Sequence, residues 1–195
     1  MPGPEIFISA GEVSGDQHAA ALLTELRRLR PDLSAWGVGG PRLADAGQRQ
    51  LAGIEQLSLV GITEVLPRLG SILALLRRLK RELARRRPAV VVLVDAPDFN
   101  LSLARAAHAL GLRVVYFITP QVWAWRRGRL AGIRRPVDLA LCILPFEEAF
   151  FREAGVRAEY VGHPLVDLVR PSATAQAHSR RTWSTPPEAH RCASR

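Results

Sequence analysis

Two aspartates, Asp95 and Asp98, have the side-chain type and the spacing for acid–base chemistry. They follow the unbroken apolar run VVVLV at residues 90–94, which predicts a strand buried on both faces. Pro97 ends that strand, since proline has no N–H to donate to a ladder. Ligands of open α/β sheets bind at the carboxyl ends of the strands, and a carboxylate held there can take a proton from a hydroxyl group. Helix capping is the alternative role for Asp98 and for Asn100.

A second polar loop, GEVSGD at residues 11–16, follows the first apolar run of the chain. It lacks the GxGxxG pattern of dinucleotide sites and the GK[ST] ending of phosphate-binding P-loops. Glu12 would repel a bare phosphate group, whereas a glutamate near a serine suits the hydroxyl groups of a sugar. The loop therefore predicts substrate contacts through Glu12 and Ser14, with capping of the next helix as the alternative for Ser14 and Asp16.

Aromatic and basic residues follow a later predicted strand, in the segment PQVWAWR at residues 120–126. Trp123 and Trp125 are two residues apart and do not share a helical face, so one or both are predicted to line a cleft. Arg126 is a candidate phosphate ligand; a packed aromatic pair beside a solvated basic run is the alternative. His163, in a Gly-His-Pro loop, is a candidate acid–base or phosphate contact, with a structural role as the alternative.

The segment LPRLGSILALLRRLKRELARRR at residues 66–87 combines a leucine stripe with many arginines. This pattern is typical of a basic amphipathic helix on an anionic membrane surface. The alternative is a helix packed on the core with a solvated basic face. The candidate membrane-contact residues are Leu69, Leu73, Leu76, Arg77, Arg78, Lys80 and Arg81.

Composition excludes several classes of protein. The 195 residues are 48% hydrophobic and 23% charged, as in soluble globular proteins, and no apolar run approaches the roughly 20 residues of a membrane-spanning helix. Cys142 and Cys192 form neither a disulfide framework nor a metal-ligand pattern, so a reducing compartment is the default. The start of the chain does not resemble a signal peptide, which predicts a cytoplasmic protein. The net charge of +9 suggests an anionic partner, but the strong bias for Arg over Lys weakens any inference of nucleic-acid binding.

Strand and helix signals alternate along the chain, which predicts an α/β fold with a doubly wound parallel, Rossmann-like sheet. The predicted strands occupy residues 5–10, 34–38, 89–94, 113–118, 138–144 and 158–161, with a further small strand at 57–59. The predicted helices occupy residues 16–29, 41–46, 69–87, 101–110 and 147–154, with a partly helical stretch at 122–133. Residues 1–169 are predicted to form one domain, and residues 170–195, which lack periodicity, a disordered tail.

Seven motifs in this order resemble the lipid-A-disaccharide synthase family. They are SAGEVSGD at 9–16, GVGGPRL at 37–43, VGITEVL at 60–66, DAPDFN at 95–100, PQVWAWR at 120–126, LPFE at 144–147 and VGHPLVD at 161–167. The resemblance covers residues 5–169, so the tail is expected to lie outside the family. It implies the first, acceptor-binding and catalytic domain of a two-domain glycosyltransferase of the GT-B type, whose second domain supplies most of the UDP site.

The resemblance also implies a reaction. Family members transfer 2,3-diacylglucosamine from UDP-2,3-diacylglucosamine to lipid X, which is 2,3-diacylglucosamine 1-phosphate, and form the β-1,6 disaccharide of lipid A. Asp95 would deprotonate the acceptor's 6-hydroxyl group, with Asp98 as a second candidate and with Glu12 and Ser14 in the same cleft. No metal is implied.

Family members are peripheral proteins on the cytoplasmic face of the inner membrane, with a possible homodimer at full length. Because family members are nearly twice as long, this chain alone is expected to be inactive. The alternatives are another sugar-nucleotide enzyme, such as an epimerase, and a non-catalytic lipid- or membrane-binding remnant.

Overall fold

A computed structural model of the chain describes residues 3–57, 65–120, 130–164 and 166. The described residues form one seven-stranded sheet in the order β3-β2-β1-β4-β5-β6-β7, in which every neighbouring pair is parallel. The strands are β1 (Glu5–Ala10), β2 (Ser34–Gly39), β3 (Gln48–Gly53), β4 (Val90–Val94), β5 (Val114–Phe117), β6 (Leu139–Cys142) and β7 (Ala158–Tyr160). The predicted parallel α/β sheet is therefore confirmed.

Helices connect the strands on both sides of the sheet. They are α1 (Val13–Leu29), α2 (Pro41–Asp45), α3 (Val65–Arg86), α4 (Pro97–Ala109), α5 (Leu130–Arg134) and α6 (Pro145–Glu153), with a short 3₁₀ helix at Ile54–Gln56. Helix α1 begins at Val13 rather than at Asp16, and α4 begins at Pro97 rather than at Leu101. Both loops that carry the candidate acids are therefore shorter than the sequence predicts.

Alternating side chains of the central strands enter two separate cores, as the period of two in a strand requires. In β1, Ile6 and Ile8 pack with α1 and α2 through Leu23 and Leu43. Phe7 points to the other side, where the core also contains residues of α3, α4, α5 and α6. The sheet is thus covered by helices on both faces, which is the doubly wound arrangement.

Strand β3 was not predicted, because its sequence QRQLAG lacks the β-branched and aromatic residues typical of strands. It lies at the edge of the sheet, where polar side chains are tolerated. The buried Gln48 amide donates a hydrogen bond of 2.9 Å to the backbone oxygen of Ile8. Of the strand predicted at 57–59, Leu57 lies in a turn, and the other two residues lie outside the described residues.

Helix α3 does not expose a single leucine stripe. Leu75, Leu79 and Leu83, spaced four residues apart, are at most 6% exposed and pack on the core, whereas Leu73 is 42% exposed. The core-packed alternative therefore describes the carboxyl half of the helix. Among the candidate cations of α3, Arg77, Arg78 and Arg81 are exposed and Lys80 is half-buried.

The chain divides into two compact units, Met1–Gly162 and His163–Arg195. The sheet and its helices belong to the first unit. In the part of the chain that the structure describes, no helix has both the length and the apolar character needed to cross a membrane.

Candidate active site

The loops after β1 and β4 touch each other at the carboxyl edge of the sheet. The two strands are neighbours, with Ala10 opposite Val94 at their ends. A side-chain carbon at Gly11 would stand 2.3 Å from the Cβ of Ala96, so only glycine permits this approach. A Cβ at Gly15 would stand 3.6 Å from that of Asp95. The parallel sheet thus brings together two acidic loops that are more than 80 residues apart in sequence.

A pocket of about 640 Å³ opens between these loops and helix α3. Its walls differ in chemistry. One wall consists of the two loops: Gly11, Glu12, Ala96, Pro97 and Asp98. The other wall is apolar: Leu57, Ile72, Leu73, Leu76 and Phe99. A ligand with a hydroxylated head and a hydrocarbon chain would match both walls.

The turn that carries Asp95 has an uncommon backbone conformation. Asp95 has φ of 53° and Ala96 has φ of 44°, both in the left-handed region that non-glycine residues rarely adopt. Ala96 is the N-cap of α4 and Pro97 occupies the first turn. Neither Asp98 nor Asn100 is therefore the N-cap residue proposed as an alternative. Asp98 lies exposed in the first helical turn, where the helix dipole favours a negative charge.

Asn100 is not placed to contact a ligand. Its side chain is completely buried. Its amide nitrogen donates hydrogen bonds to the backbone oxygens of Asp95 at 2.8 Å and of Val94 at 3.1 Å, and its oxygen accepts one of 2.7 Å from the Ser9 hydroxyl. The expectation that Asn100 binds substrate does not fit this burial, because its hydrogen-bonding groups are used inside the fold.

Tyr116, which the sequence did not single out, supports the same turn from β5. Its hydroxyl group donates a hydrogen bond of 2.6 Å to the backbone oxygen of Asp95. Burial raises the pKa of Tyr116 well above its ordinary value, and the nearby carboxylates of Asp95 and Asp98 raise it further. The tyrosine therefore stays protonated and remains a donor.

Glu12, which lines the pocket, and Asp95 repel each other. The charge of Asp95 raises the pKa of Glu12, and partial burial raises it further. Glu12 is exposed and occupies the N-cap position of α1, but its side chain makes no capping hydrogen bond. Paired carboxylates are a common feature of acid–base sites.

Asp16 has a structural role that the sequence did not predict in this form. It lies in α1, is only 2% exposed, and accepts hydrogen bonds from the backbone N–H groups of Gly40 at 2.7 Å, Arg42 at 3.1 Å and Leu43 at 3.2 Å. It therefore caps the start of α2 rather than that of its own helix.

The other candidate residues are only partly located. Ser14 is exposed in the first turn of α1. Leu73 and Leu76 line the pocket, and the guanidinium of Arg78 donates a hydrogen bond of 3.2 Å to the backbone oxygen of Leu51. His163 is half-buried and belongs to the second compact unit. Outside the described residues lie Trp123, Trp125, Arg126 and the side chain of Leu69.

A metal site would need several ligands close together. Over the described ranges, no group of three or more His, Cys, Asp or Glu side chains could hold a metal ion.

Solved structures share the fold at low sequence identity. HepE from Anabaena, in complex with UDP and glucose, gives a TM-score of 0.55 at 13% identity, with 92% of this chain and 50% of that chain covered. A UGT transferase from Siraitia grosvenorii in complex with UDP gives 0.52 at 14% identity, with 91% and 54% covered. A UDP-GlcNAc 2-epimerase from Neisseria meningitidis gives 0.58 at 10% identity, with 92% and 54% covered. The described sheet thus has the fold of about half of such a GT-B glycosyltransferase, and the epimerase shows that the fold alone does not select a reaction.

Sequence relatives are more specific. A family model described as lipid-A-disaccharide synthetase matches residues 6–193, a range that includes part of the segment predicted as a tail outside the family. The lipid-A-disaccharide synthase of Myxococcus xanthus is 53% identical over 178 residues, which cover 91% of this chain and 46% of that protein. The synthase of Anaeromyxobacter dehalogenans is 54% identical over 167 residues, which cover 86% and 44%. The chain spans about half the length of the curated relatives it matches, and it belongs to the lipid-A-disaccharide synthase family.

Proposed function

We propose that the chain provides the acceptor-binding and catalytic half of a lipid-A-disaccharide synthase, with residues 1–169 as the catalytic domain. The observation that carries this proposal is the Asp95 turn, beside Glu12 and next to a pocket that is acidic on one side and apolar on the other. The donor would be UDP-2,3-diacylglucosamine and the acceptor lipid X. The product would be the β-1,6 disaccharide.

In this reaction Asp95 is the general base. The 6-hydroxyl oxygen of the acceptor attacks the anomeric carbon of the donor while the carboxylate of Asp95 takes the hydroxyl proton. The bond from the anomeric carbon to UDP breaks, and UDP leaves with the electron pair. Attack from the face opposite UDP inverts the α linkage to β. Glu12 and Ser14 are proposed to bind sugar hydroxyl groups, with Asp98 as the second candidate base.

The apolar wall of the pocket is a physical reason to propose acylated sugars as the substrates. Each CH₂ group moved from water to an apolar surface contributes about 0.8 kcal/mol. Leu73 and Leu76 place such a surface next to the acidic loops, so a diacylated sugar can keep its ring at Glu12 and its chain on α3. A soluble sugar nucleotide, the substrate of an epimerase, has no acyl chain to place on this wall.

The remaining parts of the proposal concern the whole protein. We propose that the UDP site and the homodimer contacts lie mainly in the half of the relatives that this chain does not match. Trp123, Trp125, Arg126 and His163 are proposed as further substrate contacts. No metal, cofactor or nucleic acid takes part in the proposed reaction.

We also propose peripheral binding to the anionic cytoplasmic face of the inner membrane through α3. The exposed Leu73 beside the exposed Arg77 and Arg81 supports this contact, because apolar insertion and charge attraction add at such a surface. Leu69, Leu76, Arg78 and Lys80 complete the proposed patch.

Vesicle binding tests the membrane contact. Leu73→Ser is expected to weaken binding of the 195-residue chain to vesicles with anionic lipid in a sedimentation assay. Leu29→Ser, which changes an exposed leucine of α1, is the matched control and is expected to bind normally. Equal binding by both variants would remove α3 as the contact.

Turnover tests the reaction. The chain alone and a chimera that joins it to the unmatched half of the Myxococcus xanthus synthase are assayed for disaccharide formation from UDP-2,3-diacylglucosamine and lipid X. Asp95→Asn in the chimera is expected to lower kcat by about 10²–10⁴-fold. Asp45→Asn, an exposed aspartate of α2, is the control and should not change kcat. Near-normal turnover by folded Asp95→Asn would remove Asp95 as the base, and an inactive wild-type chimera beside an active parent would refute the proposed function.

A further inference from the structure

The left-handed conformation of the Asp95 turn must be stabilised by groups outside the turn. Two consecutive non-glycine residues, Asp95 and Ala96, have φ of 53° and 44°. Such a conformation persists only where the surrounding structure determines it. Neither residue has a side chain that stabilises the left-handed region by itself in this turn, since the carboxylate of Asp95 receives no hydrogen bond from the described residues.

Three buried side chains, each from a different element, stabilise this conformation through hydrogen bonds. Tyr116 of β5 and Asn100 of α4 both donate to the backbone oxygen of Asp95, at 2.6 and 2.8 Å. Ser9 of β1 donates to the side-chain oxygen of Asn100 at 2.7 Å, which leaves the amide nitrogen of Asn100 facing the turn. All three side chains have no exposed surface. The backbone oxygen of Asp95 thus accepts two hydrogen bonds, and Ser9 supports one of them through Asn100, while the half-buried carboxylate of Asp95 is left for a ligand.

We propose that Ser9, Asn100 and Tyr116 are positioning residues that hold the backbone of Asp95 in the left-handed conformation and thereby fix its carboxylate beside Glu12. The catalytic consequence of this role rests on the proposed function. The geometric consequence does not, because it concerns only where the carboxylate of Asp95 lies in the folded chain.

The neighbouring glutamate provides a readout of that geometry without turnover. Asp95 is the main reason why the pKa of Glu12 is raised, ahead of burial. If the turn relaxes and the carboxylate of Asp95 moves away, the pKa of Glu12 must fall toward its ordinary value. A purely structural loss of stability elsewhere would leave that pKa unchanged in the molecules that remain folded.

The first experiment uses Tyr116→Phe in the 195-residue chain. Carbon-detected NMR titration of Glu12 is expected to show a lower pKa than in the wild type, and the backbone shifts of Asp95 and Ala96 should move away from left-handed values. Tyr160→Phe is the matched control, because it removes the hydroxyl group of an exposed tyrosine. It is expected to change neither quantity.

A second variant keeps the test decisive if Tyr116→Phe does not fold. Ser9→Ala removes only the hydrogen bond that orients the Asn100 amide, and it is expected to shift the same signals in the same direction by a smaller amount. Wild-type values for the Glu12 pKa and for the Asp95 and Ala96 shifts, in whichever of the two variants fold, would overturn the proposal.

Kinetics in the chimera separates this proposal from the proposed function. Misplacing a catalytic group by about 1 Å can cost about 10²-fold in rate, so Tyr116→Phe is expected to lower kcat by about 10- to 100-fold with KM unchanged. An unchanged kcat together with unchanged NMR signals would overturn the positioning role and leave the proposed function intact. An inactive wild-type chimera beside an active parent would refute the proposed function, and the NMR comparison would still decide the geometry.

Discussion

The two acidic loops of the pocket are neighbours in space but are built in opposite ways. The loop after β1 relies on Gly11 and holds Glu12 in an extended conformation, with φ of −136°. The turn after β4 holds Asp95 in a left-handed conformation that three buried side chains fix. Glu12 is therefore exposed on a loop with common backbone angles, whereas Asp95 lies in a turn that buried hydrogen bonds hold in place. The difference suggests that Glu12 is a substrate contact that can adjust its position, whereas Asp95 is a base with a fixed position.

The helix that follows each loop contains one buried polar residue whose side chain bonds to another element. Asp16 connects α1 to the start of α2, and Asn100 connects α4 to β1 and to the Asp95 turn. Of these two side chains, only Asn100 donates a hydrogen bond to the backbone of a candidate acid, Asp95. Substitutions at both sites should therefore cost stability, but only those near Asp95 should alter the site.

The largest effect on stability is expected for Asn100→Ala. The change removes a buried hydrogen-bonding side chain and leaves the Ser9 hydroxyl and the Val94 oxygen without this partner. We expect a loss of about 3 kcal/mol in the free energy of unfolding, measured by urea denaturation. If Asn100→Ala lowers the free energy of unfolding less than Asp16→Ala does, the larger contribution of the Asp95 turn to stability is contradicted.

Asp16→Ala is expected to cost about 2 kcal/mol. Three backbone N–H groups at the start of α2 lose their acceptor, but helix α2 has only five residues and solvent can reach part of it. Urea denaturation measures the change, and Asp45→Ala at the exposed end of the same helix is the control. The NMR signals of Asp95 and Ala96 should not move.

A double-mutant cycle tests whether the two loops are in contact. Gly11→Ala is expected to cost about 1.5 kcal/mol, because the new methyl group meets that of Ala96. Ala96→Gly removes the second methyl group and suits a positive φ. The double variant should therefore lose clearly less stability than the sum of the two single changes. Strict additivity would show that the loops do not meet.

The smallest effect is expected for Glu12→Gln, and it should depend on pH. The raised pKa means that the folded protein binds this proton more tightly than the unfolded chain does. The wild type therefore loses stability as the pH rises from the ordinary glutamate value of 4.5 through the folded value. Glu12→Gln lacks that loss and should gain about 0.3 kcal/mol at pH 7, with no gain at pH 4, in thermal melts. An equal gain at both pH values would contradict repulsion by Asp95.

Much of the fold could be predicted because its strands are apolar and end at Gly or Pro. Strand β1 has the predicted bounds, and β4 differs by one residue. Strand β3 was missed because its position at the sheet edge allows polar residues such as Gln48, so that no alternation appears in its sequence.

The candidate site was harder to predict than the fold. The sequence placed Asp95 and Glu12 at strand ends, which is a matter of local pattern. The roles of Tyr116 and Asn100 depend on which strands are neighbours and on which way a turn bends, and neither is encoded by spacing. The sequence around Tyr116 predicts only a strand, although a buried tyrosine needs a partner for its hydroxyl group.

The bond between Ser9 and Asn100 joins residues 91 positions apart in the chain. During synthesis, the first loop emerges long before the segment that completes its pocket. Strand β1 can pair with β2 early, but the order of the sheet leaves its other edge open until β4 arrives. Contacts of such sequence separation form slowly. The acidic pair would therefore come together only once β4 has joined β1, and the raised pKa of Glu12 would report that the central sheet has closed.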